Sequence, residues 1–237
     1  AEKAPEGFKT LKATGGGALS NLRFRIQVSP MDCTGCQLCV EACGDEALVM
    51  KDFEKMKEQE SGNWEYAMSI PNKGDLVGRN DVRSVQFHQP LLEFSGACDG
   101  CGETPYVKLI TQLFGERMNI ANATGCSSIW GGTAAFNPYT HNARGQGPAW
   151  ANSLFEDNAE YGLGMSVSVA QRRRVLKGLV EAILQSGETL PGELSDLFSE
   201  WLENFSDGRR CQPVANKIVD VLKGLKEMSP ALAEIAS

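Results

Sequence analysis

Leu22, Phe24, Ile26 and Val28 alternate with Arg23, Arg25 and Gln27, a period of two that predicts a half-buried strand ended by Pro30. Before it, the stretch through Gly15, Gly16 and Gly17 reads as loop. Behind it come four closely spaced cysteines and then Ala47-Leu48-Val49-Met50, which predicts a short returning strand. Residues from Asp52 to about Glu65 are polar and helix-compatible, and Pro71 to Pro90 has the composition of a connector, so a domain boundary is expected near position 75. Pro105 suits the first turn of a helix, where its missing N–H costs nothing, and Val107, Ile110, Leu113 and Phe114 recur on one face of it. Met118 to Ala123 predicts a strand. Gly131 to Pro148 predicts a long ordered loop, of the length that is usually functional when ordered. From Ser153 to Met228 the pattern is helical, with one apolar stripe of Val175, Leu176, Leu179 and Ile183 and another of Val214, Ile218, Val221, Leu222 and Leu225. Both stripes read as packing surfaces, and no internal repeat is present.

Composition narrows the function classes. The 237 residues are 42% apolar, enough for a core in one large or two small domains. A net charge of −7 argues against a nucleic-acid surface, because only Arg172-Arg173-Arg174 is locally basic and that triplet reads as the solvated face opening a helix. No apolar run reaches the roughly 18 residues of a spanning helix, and Ala1-Glu2-Lys3-Ala4-Pro5 lacks the apolar region of a signal peptide. A cytoplasmic protein without membrane contact is expected. The first residue is not methionine, which suggests processing or an internal piece.

Eight cysteines without export signals point to metal or catalytic thiols and away from disulfides. Cys33-x-x-Cys36-x-x-Cys39-x-x-x-Cys43 has the spacing of bacterial 4Fe–4S ferredoxins, in which three cysteines wrap one cluster and the fourth reaches toward another. Zinc sites favour two separated pairs over a triplet. Gly44 stands where ferredoxins usually carry proline after the fourth cysteine, and no second such motif occurs. The other group, Cys98-x-x-Cys101 with Cys126, is by spacing alone open between a cluster, zinc, a dithiol pair and structural cysteines. Cys211 stands apart and reads as an ordinary thiol.

The wording around these cysteines resembles one family. Phe24 to Pro30, Gln89-Pro90-Leu91-Leu92-Glu93-Phe94-Ser95-Gly96-Ala97-Cys98, Cys101-Gly102-Glu103-Thr104-Pro105-Tyr106, Ala123-Thr124-Gly125-Cys126-Ser127-Ser128-Ile129-Trp130 and Gly145 to Asp157 closely resemble, in the family's order, the single-chain thiamine-diphosphate pyruvate:ferredoxin (flavodoxin) oxidoreductases. The resemblance covers roughly residues 5 to 175. It implies an α/β fold with a small α+β ferredoxin-like portion: residues 1–75 as part of a 4Fe–4S ferredoxin-type domain, and 76–237 as the start of a thiamine-diphosphate-binding domain followed by a helical region. It implies that Cys98, Cys101 and Cys126 ligate a further 4Fe–4S cluster, and that Glu103 and the loop at Cys126 lie near thiamine diphosphate and its magnesium. The competing reading of Glu103 is a helix N-terminal carboxylate favoured by the dipole.

The resemblance also implies oxidative decarboxylation of pyruvate to acetyl-coenzyme A, single electrons passed to ferredoxin or flavodoxin, and a homo-oligomer when complete. No Gly-Asp-Gly diphosphate motif occurs in Val167 to Ser237, and the fourth ligand of the Cys98 cluster is expected far downstream. Three readings follow: an electron-transfer segment of the oxidoreductase, catalytically incomplete by itself; a stand-alone iron–sulfur carrier derived from it; and a zinc-stabilised interaction module.

Overall fold

The computed structural model describes residues 4–14, 17–133 and 137–236. Gly15 and Gly16 of the expected opening loop, and residues 134–136 of the expected long loop, lie outside that description. Among the described residues helices dominate, accompanied by two small two-stranded sheets. The chain divides into two compact units, one through Asn158 and one from Ala159.

In the first unit, β1 (Leu11–Lys12) pairs antiparallel with β2 (Arg23–Phe24). The predicted strand therefore ends four residues short of Val28. The alternation persists in the side chains but is inverted. Arg25 and Gln27 turn inward onto Glu60, at 3.0 and 2.9 Å, while Ile26 is 64% and Val28 50% exposed. Glu60 belongs to α2 (Phe53–Met68), whose start is capped by the Asp52 carboxylate accepting from the Lys55 N–H. A charged partner thus decides which side of the segment is covered. The returning strand at Ala47–Met50 is not formed, since residues 46–50 have no ladder partner and Val49 is 64% exposed. Strand backbone without a neighbour leaves its polar groups to water.

The connector holds a 3-10 turn (Gly74–Leu76) and one short α-helix, α3 (Val82–Val85), capped by Asp81. It packs on α4 (Thr104–Phe114), which carries Pro105 in its first turn as expected. The face of α4 differs from the prediction. Ile110 and Phe114 are 43% and 46% exposed, whereas Thr111 and Gln112 are buried. The reason lies in what α4 meets: Gln112 Nε2 donates to the carbonyls of Val85 and His88, and the Leu91 N–H donates to Thr111 Oγ1. A wall of backbone polar groups selects polar side chains over the apolar stripe.

β3 (Asn119–Ala123) runs parallel to β4 (Ala149–Ser153), with α5 (Cys126–Gly131) and the expected loop between them. A parallel pair requires such a crossover. β3 matches the predicted strand to within a residue, and β4 is a strand the sequence reading did not expect, lying between the expected loop and the expected helical region and overlapping the latter only at Ser153.

The second unit is helical: α6 (Asn158–Gln185) leads into it, followed by α7 (Leu194–Glu203), α8 (Gly208–Gly224) and α9 (Pro230–Ala236). Its core gathers Val180, Ile183, Leu194, Leu197, Phe198 and Trp201 with the stripe of α8. That stripe is the predicted one with Cys211 added at its head, so the thiol sits as a small apolar core residue. On α6 the stripe is shifted in part: Leu176 and Ile183 of the predicted set join the core, while Val180, 2% exposed, and Leu184 are added and Val175 is left 52% exposed. The arginine triplet lies in mid-helix instead of opening it. All three residues are exposed, and the Arg173 guanidinium sits 4.5 Å above the Phe205 ring.

Candidate functional site

The first cysteine loop begins where the Cys33 N–H donates to the Ser29 carbonyl, and it ends in the four-residue helix α1 (Leu38–Glu41). Between them the backbone turns left-handed at Gly35 (φ 74°) and at Gln37 (φ 66°). Glycine adopts this conformation freely, whereas glutamine does so at a cost. Left-handed residues of this kind curl a loop so that successive N–H groups face one concavity, an arrangement common to anion and iron–sulfur sites. Among the described residues, no backbone N–H from Thr34 to Cys39 donates to a backbone acceptor, which leaves these donors open to cluster sulfides. Cys33, Cys36 and Cys39 are exposed.

Cys43 is held differently. Its sulfur accepts the Ala47 N–H at 3.3 Å. That bond, followed by weaker ones from Asp45 and Leu48, holds the thiol below its ordinary pKa, with desolvation working against the bonds. The fourth cysteine of the motif is thus engaged by the turn that follows it, while the first three have exposed side chains.

The second loop is a turn closed by the Cys101 N–H donating to the Cys98 carbonyl at 3.0 Å, with Gly100 at φ 72°. Cys101 stands just before α4. Backbone N–H groups of Thr104 and then Glu103 approach its sulfur and lower its pKa, against a smaller opposing effect of desolvation. Cys126 is the first residue of α5, beyond the C-terminal end of β3, the end at which open α/β sheets commonly place ligands. Gly125 and Ser128 exchange hydrogen bonds that fix this corner.

Neither cysteine group closes to single-ion spacing. Among the described residues no three His, Cys, Asp or Glu side chains are grouped to hold one metal ion. A cubane cluster spreads its ligands over four irons and needs a wider set of sulfurs. In the first loop the donors present, the exposed thiols of Cys33, Cys36 and Cys39 with unbonded N–H groups beside them, fit such a group chemically; in the second, Cys98 and Cys126 are exposed and Cys101 is half-buried.

The two loops meet. Thr34 Oγ1 donates to Asp99 Oδ1 at 2.9 Å, and a Cβ placed on Gly100 would stand 2.8 Å from Cδ1 of Leu38. Each contact joins a residue inside the first cysteine motif to one inside the second.

Glu103 caps α4 by position, with no hydrogen bond from its side chain to the helix. The Tyr139 hydroxyl is pushed up to about 12, chiefly by burial and then by the negative charge of Glu103. Sequence reasoning missed Thr34, Leu38 and Asp99 as contacts between the loops. It also missed Glu93, on a cleft of about 480 Å3 beside the start of α4, whose carboxyl burial raises while Lys108 opposes the rise. Asp99 was visible inside its motif, but nothing local shows that it reaches Thr34.

No protein-family model matches the chain. It is 52% identical over 234 residues to the mitochondrial pyruvate dehydrogenase (NADP+) of Euglena gracilis, covering 98% of this chain and 13% of that protein. It is 50% identical over 223 residues to the pyruvate-flavodoxin oxidoreductase of Enterobacter agglomerans, covering 92% and 19%. It is 48% identical over 234 residues to the pyruvate:ferredoxin oxidoreductase of Moorella thermoacetica, covering 98% and 20%. All three relatives are enzymes, and the chain spans a fifth or less of their length. The match also extends the resemblance, expected to stop near residue 175, through the helical second unit.

Proposed function

We propose, for a chain that belongs to the pyruvate:ferredoxin (flavodoxin) oxidoreductase family, that it is the iron–sulfur electron-transfer segment of an enzyme oxidatively decarboxylating pyruvate. Cys33, Cys36 and Cys39 hold one 4Fe–4S cluster; Cys43 serves another; Cys98, Cys101 and Cys126 contribute three ligands to a third. When bound, the clusters supply one-electron transfer. Residues 1–75 are then the ferredoxin-type part and 76–237 the start of the thiamine-diphosphate domain, with Glu103 and Cys126 beside that cofactor and its magnesium. Pyruvate, coenzyme A, a reduced ferredoxin or flavodoxin, a cytoplasmic setting and a homo-oligomeric whole belong to the same reading.

The observation that carries it is the contact of the two cysteine loops through Thr34 and Asp99, since electron relay needs neighbouring sites. The comparisons add a second argument. Relatives whose names specify NADP+, flavodoxin and ferredoxin match this segment at similar identity. A stretch common to three acceptors suits a step that precedes acceptor choice.

The test is anoxic reconstitution with iron and sulfide, followed by iron, acid-labile sulfide and zinc analysis. Loading of about eight irons with matching sulfide is expected for two clusters. Serine at Cys33, Cys36 and Cys39, or at Cys98, Cys101 and Cys126, should each remove about half. Stoichiometric zinc without sulfide would replace this reading with the interaction module.

A further inference from the structure

We propose that Thr34, Leu38, Asp99 and Gly100 form a joint that fixes the spacing between the two cysteine loops, making Thr34 and Asp99 positioning residues for electron relay. The relay part rests on the reading that both loops hold clusters. The mechanical part stands on the contacts alone.

The joint has a polar and an apolar half. Thr34 is bonded covalently to Cys33, and Asp99 to Cys98. The single hydrogen bond between them, 2.9 Å long, therefore completes a route from one ligand residue to the other, otherwise made of covalent bonds. Beside it Leu38, the residue before Cys39, rests against Gly100, the residue before Cys101. Gly100 meets two demands at once. Its φ of 72° favours glycine, and any Cβ would press on Leu38 at 2.8 Å. The Thr34–Asp99 contact spans 65 positions of sequence, so no local turn preference accounts for it. Functional constellations tolerate little displacement of their supporting residues, and tunnelling between two redox groups weakens steeply as they separate. A joint built from the immediate neighbours of four cysteines holds that separation where small motions would otherwise change it.

The experiment compares Thr34→Val, which keeps shape and loses the donor; Asp99→Ala, which loses the acceptor; Asp99→Asn, which keeps an acceptor oxygen; and the Thr34→Val/Asp99→Ala double variant. In the chain without clusters the Thr34–Asp99 bond is exposed to water, so the unfolding equilibrium constant of the first unit should rise about twofold in each of the two disruptive singles. The double variant should rise no further than the larger single, the sign of a shared interaction. In the reconstituted chain, the magnetic splitting between the two reduced clusters should collapse in Thr34→Val and Asp99→Ala and return in Asp99→Asn, with iron content unchanged throughout. Additive single effects, or an undiminished splitting in both disruptive variants, would overturn the joint. Failure to load iron in the parent would instead overturn the cluster reading, leaving the stability cycle to judge the joint alone.

Discussion

Two partly buried carboxyls of the first unit are shifted in opposite directions. At Glu60 burial works against ionisation, but hydrogen bonding from Gln27, the nearby amide of Asn63 and the Arg25 guanidinium prevail, and its pKa lies below the ordinary value. Its contribution to stability is therefore present above the unfolded pKa of about 4.3 and is lost as pH falls through the lower folded value. Glu60→Gln should cost about 1 kcal/mol at neutral pH and little once the parent carboxylate is protonated. At Glu93 burial raises the pKa and Lys108 only partly offsets it. The sign reverses: its contribution is full below about pH 4.3 and is lost as pH rises through the folded value. Glu93→Gln should therefore be more stable than the parent at pH 7 and indistinguishable below pH 4. Urea unfolding of both variants from pH 3 to 8 checks the pair, and parallel curves for the two would contradict the assigned causes.

Among the elements, those set by local signals were legible in the sequence, and those set by distant partners were not. The strand β3 and the α8 stripe follow from residues within one element, and both formed nearly as read. The inversion at Arg25 and Gln27 depends on Glu60, more than thirty positions away. The polar face of α4 depends on carbonyls at Val85 and His88. On α6 a period of 3.6 allows neighbouring stripes, and packing against α7 and α8 selects the one containing Val180. The candidate site divides similarly: the cysteines stand out by spacing, while the contact between their loops is tertiary. The chosen stripe gives an element-scale prediction. Phe198→Ala, at a 1% exposed core position, should destabilise the second unit by about 3–5 kcal/mol. Val175→Ala, at a residue 52% exposed, should change it by less than about 0.5 kcal/mol. Denaturant unfolding followed by circular dichroism tests both, and equal losses would restore the stripe that includes Val175.

At the scale of the whole molecule, the sequence offers eight thiols and two units but carries no Gly-Asp-Gly motif from Val167 to Ser237. Among the described residues, no helix is long and apolar enough to cross a membrane. Apolar side chains flank the first cysteine loop in the open, Ile26 at 64%, Met31 at 69% and Val49 at 64% exposure. Positioning is most of what such an enzyme contributes to its cofactors. The chain by itself, supplied with pyruvate, coenzyme A, thiamine diphosphate and magnesium, should therefore give no sustained reduction of a viologen dye, and sustained turnover would show it to be a complete catalyst. The central claim is that both cysteine loops carry electrons. An anoxic redox titration of the reconstituted chain, followed by electron paramagnetic resonance, tests it most directly. Two one-electron cluster signals are predicted, one lost on serine substitution of Cys33, Cys36 and Cys39 and the other on substitution of Cys98, Cys101 and Cys126; a reduced chain with no cluster signal, or one signal indifferent to both substitutions, would contradict it.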